Sequence, residues 1–437
     1  MPENSTPTAS MRLRSRLWVV LLPLLLILQL FFPSKAWMAL LVGMGGAWLL
    51  AYLWARSLKD HLRLQREMRY GWAHVGDRLE ERFTLINTGP IPALWVEIAD
   101  SSTLPDYAVS QVRAIGADSR ETWTSRHFCS QRGLFTLGPA RLRTTDPLGL
   151  YEVNVDVPDS TVLMVTPPVV PLPEIEIAPG GRAGEGRRVR RDPLERTVSA
   201  SGVNAYHPGD PLHWIHWPTS IRKQELYVHN FDSTPTSDWW IFLDLQQEVQ
   251  FGEGWNSTLE HGIILAASLV DRGLSRGQSV GLSASGEPLL WLPPNSAAGQ
   301  RLQILRSLAL AGPGHDPLGQ LLETARPILQ HGASLILITP DLSGVWLEAI
   351  FFLLRSRLVP TVLLFDPASY GSNGSLGSIR ASLARLGISP FIVTRELLDR
   401  PEARPGHAGE WEWRVTGFGR AIPVRKPEDL SWHKVGG

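Results

Sequence analysis

Three different rhythms of apolar and polar residues divide this chain. From Leu17 to Phe32 it is apolar apart from Gln29, and after the break Pro33-Ser34-Lys35 a second uncharged run extends from Ala36 to Ala55. A helix needs roughly 20 residues to cross the hydrocarbon core of a bilayer; the second run has that length, and the first needs flanking residues or a thinned bilayer. The pattern predicts a transmembrane helical hairpin over 17–55, kinked at Pro23, behind a cytoplasmic tail of residues 1–16. Trp18, Trp37 and Trp54 fall near the expected edges, where indole rings favour the interface, and Gly43, Gly45 and Gly46 let two helices approach closely.

From about residue 70 the rhythm shortens to two. Arg78 to Ile86, Ala93 to Ala99, Glu121 to Phe128, Leu134 to Leu137, Ala140 to Thr144 and Thr161 to Val165 read as strands. Leu94, Val96 and Ile98 alternate with Trp95, Glu97 and Ala99, as expected of a strand with one face on a core. Asn87-Thr88-Gly89-Pro90 and Asp146-Pro147-Leu148-Gly149 supply turns. Short strands at this spacing predict a β-sandwich-like module of immunoglobulin or fibronectin type over 56–170.

Beyond Ser237 the apolar runs become continuous. Trp239 to Leu243, Leu335 to Ile338 and Val362 to Phe365 read as strands buried on both faces. Helical stripes lie between them: Ser257 with Glu260 as a capping box ahead of Leu259, Ile263, Ala266 and Val270, with Gly273 to end the helix, then Leu302 to Leu310, Leu318 to Leu329 and Val345 to Leu354. Alternating strands and helices predict an α/β doubly wound domain over 237–400, followed by an extension at 401–437. The fold class expected for the whole is therefore multidomain.

Charge decides orientation rather than partner class. Lys and Arg total 42 and Asp and Glu total 42, so no overall field draws the chain to a polyanion and no nucleic-acid partner is expected. Arg12, Arg14 and Arg16 precede the first apolar run, Arg56, Lys59, Arg63, Arg66 and Arg69 follow the second, and Lys35 lies between. Both ends of the hairpin should therefore stay on the cytoplasmic side of the inner membrane. A cleaved signal peptide is the competing reading, but Phe31-Phe32-Pro33-Ser34-Lys35 has no small-x-small pattern and a second apolar run follows at once. Residues 171–200 read as a basic Gly/Pro linker with Arg182, Arg187, Arg188, Arg190, Arg191 and Arg196. Cys129 is the sole cysteine, which excludes an intramolecular disulfide; a lone strand cysteine is usually inert packing.

The most distinctive stretch, within 201–236, runs Gly202-Val203-Asn204-Ala205-Tyr206-His207-Pro208-Gly209-Asp210-Pro211-Leu212-His213-Trp214-Ile215-His216-Trp217, then Ser220, Arg222, Leu226, Tyr227, Val228 and Phe231. It resembles the signature of the bacterial "domain of unknown function 58" family: a Tyr-x-Pro-Gly-Asp turn, an Ile-x-Trp, an Arg and a Leu-x-Val strand. Arg132-Gly133-Leu134-Phe135, Gly138-Pro139 and Asp146-Pro147-Leu148-Gly149-Leu150 also suit that family. Asn204-Ala205 stand where the family commonly has Arg-Glu, and His213 where it has a basic residue. Tyr206, Pro208, Gly209, Asp210, Ile215, Trp217, Ser220 and Arg222 form the expected docking segment.

The resemblance further implies a von Willebrand factor A-like C-terminal domain, in which a metal sits at the strand C-termini on an Asp-x-Ser-x-Ser motif, a Thr and a second Asp. Here the motif reads Asp244-Leu245-Gln246-Gln247-Glu248, Asp316 stands near the Thr position, and Thr339-Pro340-Asp341 follows the later strand. Hard cations take oxygen ligands, so Asp244, Asp316 and Asp341 are candidates for a degenerate Mg²⁺ site, with no other cofactor expected. His207, Asp210, His213 and His216 are an alternative zinc set. Gly281-Leu282-Ser283-Ala284-Ser285-Gly286 lacks the spacing of a nucleophile elbow. The expected function is a non-enzymatic membrane adaptor that docks a MoxR-type AAA ATPase, a partner the resemblance implies; the alternative is a metal-dependent hydrolase using the carboxylates and the His-rich turn.

Overall fold

The computed structural model describes residues 8–68, 71–107, 109–178, 220, 222–223, 225, 238–297, 299–329 and 333–398, with short strands at 203–205, 227–229, 412–415, 421–425 and 433–435. Strand β1 (Thr8–Leu13) leads into helix α1 (Leu17–Phe31), and helix α2 (Lys35–His61) follows. The Ser34 hydroxyl accepts from the Ala36 amide and so caps α2. Helix α2 is long and apolar enough to cross a membrane, whereas α1 is apolar but shorter.

The helix outlasts the apolar run and ends inside the next module. Ala51, Ala55 and Leu58 recur at helical spacing and are buried among the β-strands, while Leu49, Leu50 and Leu53 remain exposed on the opposite side. Alanine at 51 and 55 gives the helix a narrow face that lies close to the strands.

The β-module contains β2 (Leu62–Met68), β3 (Trp72–His74), β4 (Arg78–Asn87), β5 (Ala93–Asp100), β6 (Gln111–Ile115), β7 (Ser119–Phe128), β8 (Gly133–Leu137), β9 (Ala140–Thr145), β10 (Tyr151–Val157) and β11 (Thr161–Thr166). One sheet has the order β1-β10-β9-β5-β6, a smaller one β3-β11-β8, and β2, β4 and β7 are adjacent in a third. The segment read from sequence as part of a free tail is thus a strand: Ala9, Met11 and Leu13 pack on the core while Thr8, Ser10 and Arg12 point outward. In β5 the expected face is only partly kept. Val96 and Ile98 are buried, but the register shifts between Ala93 and Val96, so Ala93 turns inward and Leu94 is 54% exposed.

A buried cation ties the two larger sheets together. Arg66 of β2 donates from Nε to Glu81 of β4 at 2.7 Å and from Nη1 to Asp100 of β5 at 2.9 Å, with its guanidinium 5.2 Å from the Phe83 ring centroid. Burial holds the Glu81 carboxyl above its ordinary range, against the opposing pull of Arg66.

Residues 171–178, which composition assigned to a linker, lie along the next domain. Val170 and Ile175 are buried in its core, the Val170 amide donates to Ser268 Oγ at 2.9 Å, and the Ala178 amide donates to Thr361 Oγ1 at 2.8 Å. Arg272 donates to the carbonyl oxygens of Leu172 and Pro173. Residues 179–200 are outside the described residues. Strands β12 (Val203–Ala205) and β13 (Tyr227–His229) pair antiparallel.

The α/β domain runs β14 (Trp239–Leu243), α3 (Thr258–Ser275), β15 (Val280–Ala284), β16 (Leu290–Asn295), α4 (Gln300–Leu310), α5 (Leu318–Ala325), β17 (Ser334–Thr339), α6 (Leu347–Arg355), β18 (Pro360–Phe365), α7 (Gly377–Arg385), β19 (Phe391–Val393) and α8 (Arg395–Leu398). Its sheet has the order β16-β15-β14-β17-β18-β19, parallel except for β16. The continuous apolar strands follow from cover on both faces: Trp239, Ile241 and Leu243 pack with α3 and α4, while Trp240 and Phe242 pack with α5, α6 and α7. Ser257 Oγ accepts from the Glu260 amide at 3.2 Å and caps α3. Gly273 has a different role from the expected helix stop. The helix continues to Ser275, the left-handed residue is Gly277 at φ 76°, and a Cβ at Gly273 would meet Val280 at 2.6 Å and the Trp239 ring at 2.7 Å.

At the C-terminus β20 (Glu412–Val415) pairs with β21 (Ala421–Arg425), and β22 (His433–Lys434) adds antiparallel to β2, completing the order β22-β2-β4-β7. Val435 is buried beside Met68. The end of the chain therefore returns to the β-module.

Candidate functional site at the sheet C-terminal edge

From β14 the chain passes through α3 to β15 on one side, then crosses back to place β17 on the other side of β14. The strand order reverses between β14 and β17, and the crevice beyond the carboxyl ends of two such strands is where open α/β sheets receive ligands. Asp244 directly follows β14 and Asp341 follows β17, so topology brings together two of the three carboxylates singled out from sequence.

Asp244 is buried. Its Oδ2 accepts from the Thr339 hydroxyl at 2.6 Å and its Oδ1 from the Gln246 amide at 3.1 Å. Burial is the main cause that pushes its carboxyl up to about 6, and the nearby Asp341 adds to the rise. Asp341 is held by its own turn: Oδ1 accepts from the Ser343 amide at 2.7 Å and Oδ2 from the Ser343 hydroxyl at 2.9 Å. Thr339 Oγ1 also accepts from the Asp341 amide at 2.9 Å, so this one hydroxyl couples both carboxylate loops.

Asp316 is exposed, on the loop before α5. That loop touches the Asp244 loop through its backbone, with the Gln247 amide donating to the Gly314 carbonyl at 2.8 Å and the Gly314 amide to the Leu245 carbonyl at 2.9 Å. Its side-chain link is His315 with Glu248, 3.2 Å apart. A backbone amide bond and then His315 hold Glu248 below the usual carboxylate range. Among the described residues no three His, Cys, Asp or Glu side chains form a group that would hold a metal ion. The oxygens of Asp244 and Asp341 suit a hard cation in kind, and each carboxylate accepts two protein hydrogen bonds while keeping further lone pairs.

Other signature residues fall differently. Tyr206, His207, Pro208, Gly209, Asp210, His213, Ile215, His216 and Trp217 lie outside the described residues; Ser220 is buried and Arg222 exposed. Ser285, from the stretch compared with a nucleophile elbow, is buried at the end of β15, where its Oγ accepts from the Leu245 amide at 3.0 Å. The hydroxyls of Thr339, Ser343 and Ser285 join the site in the fold although none is among the residues expected from sequence to hold the cation. The spacing Asp341-Leu342-Ser343 is a local signal for a side-chain-capped turn, whereas the Thr339 contact depends on strand order.

Comparison with known proteins places this region in context. Residues 202–371 match a family model described as "Protein of unknown function DUF58". The match includes the signature segment, β14 to β18 and both carboxylate loops. The "Uncharacterized protein YeaD" of Bacillus subtilis is 25% identical over 258 residues, 56% of this chain and 61% of that protein. The chain thus matches less than two thirds of the relative's length. Among solved structures, the CARDB domain of a Pyrococcus furiosus protein in complex with di-metal ions aligns with TM-score 0.18 and 10% identity, covering 24% of this chain and 94% of that one. A Listeria innocua beta-glucosidase in complex with glucose aligns with TM-score 0.16 and 12% identity, covering 24% of this chain and 16% of that one. Scores this low carry no argument about fold or function.

Proposed function

We propose that this protein is an adaptor of the inner membrane: the N-terminal hairpin anchors it, the β-module spaces, and the sheet C-terminal edge of a von Willebrand factor A-like domain docks a protein partner, a MoxR-type AAA ATPase. The observation that carries the docking reading is the state of Asp244 and Asp341. Both carboxylates sit at the strand-order reversal, and both are fastened by neighbouring hydroxyls and amides, which suits a rigid recognition edge. The anchor reading is supported by β1 and β2, which flank the hairpin and both belong to the β-module; the two helices therefore leave and return on one side. Arginines at both feet favour the cytoplasmic side. The test is recovery of a co-purifying ATPase from detergent-solubilised native membranes. Asp341→Ala should abolish recovery while the circular dichroism spectrum is unchanged; undiminished recovery with that variant would remove the proposed docking edge.

The hydrolase reading is favoured by one observation, a buried carboxyl at Asp244 pushed up to about 6, within the range of a general acid. It predicts a tightly held stoichiometric zinc on the purified protein that is lost in His213→Ala and His216→Ala, with activity but not metal lost in Asp244→Ala. The adaptor reading predicts normal recovery of the partner after chelation.

A further inference from the structure

The end of the β-module nearest the hairpin has an unusual surface. Leu13 is opposite Tyr151, and the Arg14 amide donates to the Leu150 carbonyl at 2.7 Å, so the turn at 146–149 stands beside the start of α1. That turn is rigid: Asp146 accepts from the Leu148 amide at 2.9 Å and from the Tyr151 amide at 2.6 Å. It holds Leu148 outward, 54% exposed. The start of β5 lies at the same end, because the Thr144 hydroxyl donates to the Trp95 carbonyl at 2.5 Å, and the bulge there turns Leu94 outward. The foot of α2 completes the surface, with the Thr88 amide donating to the His61 carbonyl and Leu49, Leu50 and Leu53 exposed.

Exposed cations lie at the same end. Arg12, Arg14, Arg16 and Arg56 are exposed. The acids at this end are Asp60, 4.0 Å from Arg56; Glu152, opposite Arg12 and 2.9 Å from Arg143; Glu97, 3.6 Å from Arg143; and exposed Asp118, whose amide donates to the Gly89 carbonyl beside the foot of α2. Protruding leucines at the same end as exposed arginines, continuous with a lipid-compatible helix face, have the composition that membrane interfaces select.

We propose that this end of the β-module rests on anionic lipid, with Leu94 and Leu148 inserted at the acyl boundary and Arg14, Arg16 and Arg56 against headgroup phosphates. The inference builds on the membrane anchor proposed above and adds that the soluble part is held against the bilayer in one orientation. That orientation is transmitted rigidly, because Ala51, Ala55 and Leu58 of α2 belong to the module's core.

The test uses the full-length protein in nanodiscs, with an environment-sensitive maleimide dye at Leu94→Cys, Leu148→Cys or Val162→Cys. Val162 is exposed on β11, a strand that contacts α4 of the α/β domain, and the native Cys129 is buried and escapes labelling. In discs containing phosphatidylglycerol the dye at positions 94 and 148 should be blue-shifted, and at 162 water-like. The shift should shrink in pure phosphatidylcholine and when Arg14, Arg16 and Arg56 are replaced by Gln. Water-like emission at 94 and 148 from protein that has entered the discs overturns this inference and leaves the anchor standing. An equal shift in phosphatidylcholine overturns the assignment to anionic lipid. Failure to enter discs at all removes the anchor and the inference together.

Discussion

Arg132 of the β-module and Glu260 of helix α3 form an ion pair across the junction between the two soluble domains. The Arg132 side chain is only 8% exposed, and it also donates from Nε to the Leu308 carbonyl at 3.1 Å and from Nη2 to the Ala311 carbonyl at 2.5 Å. One planar fork thus reaches the start of α3 and the end of α4 together. Replacing Arg132 by Ala leaves these acceptors without their donor and should cost about 2–3 kcal/mol at the junction. Lys should restore little, because a single ammonium cannot reproduce the fork. The expected result in urea denaturation is that one transition separates into two as the domains uncouple; an unchanged profile would show that the pair contributes nothing to coupling.

The raised carboxyl at Asp244 makes stability depend on pH in a definite direction. Folding lifts it from 3.8 to about 6, so between those values the folded chain binds more protons than the unfolded chain. Stability from this group therefore falls as pH rises through that window, by about 3 kcal/mol at its limit, and the full penalty is present at neutral pH. Asp244→Asn should stabilise the protein at pH 7.5 and flatten the dependence between about pH 4.5 and 7. Urea midpoints across that range measure it, and a variant less stable than the parent at pH 7.5 would contradict the assignment. Because Asp244 belongs to the proposed docking edge, the same variant should, on that proposal, lose partner recovery while gaining stability.

Cys129 should be chemically silent in the folded protein. Burial, aided by Asp77, pushes its thiol up to about 12, about 1,000-fold less thiolate than an ordinary cysteine at neutral pH. Reaction with a chromogenic disulfide at pH 8 should be negligible until denaturant is added, then reach one thiol per chain. Rapid native labelling would mean that the far end of the β-module opens readily.

Gly273 should not tolerate a methyl group. An alanine Cβ would fall within 3 Å of both Val280 and the Trp239 ring, so α3 would have to move off the sheet, at about 1–3 kcal/mol by analogy with overpacked cores. Helix propensity favours Ala over Gly by about 1 kcal/mol, so the sign of the change tells packing from propensity. A lower thermal midpoint for Gly273→Ala is expected, and a higher one would show that α3 gives way to the added methyl at less cost than the gain in helix propensity.

Much of this architecture could be read from residue order alone, because the signals are local. Uninterrupted apolar runs at Trp239 to Leu243, Leu335 to Ile338 and Val362 to Phe365 can be satisfied only with cover on both faces, and Ser257 with Glu260 marks a helix start regardless of context. The greasy segments near the N-terminus are equally plain as helices, and the second is long and apolar enough to cross a membrane. What depended on distant partners was hidden. Thr8 to Leu13 is a strand only because β10 offers it an edge, and Leu94 faces outward because a register shift against β6 overrides its place in the alternation. Asp244 and Asp341 are neighbours because β17 lies beside β14, whereas Asp316, with the same side chain, is left on an exposed loop. Periodicity records which side of an element is apolar; it does not record which element will cover it, and that pairing is settled only when the whole chain competes for buried surface.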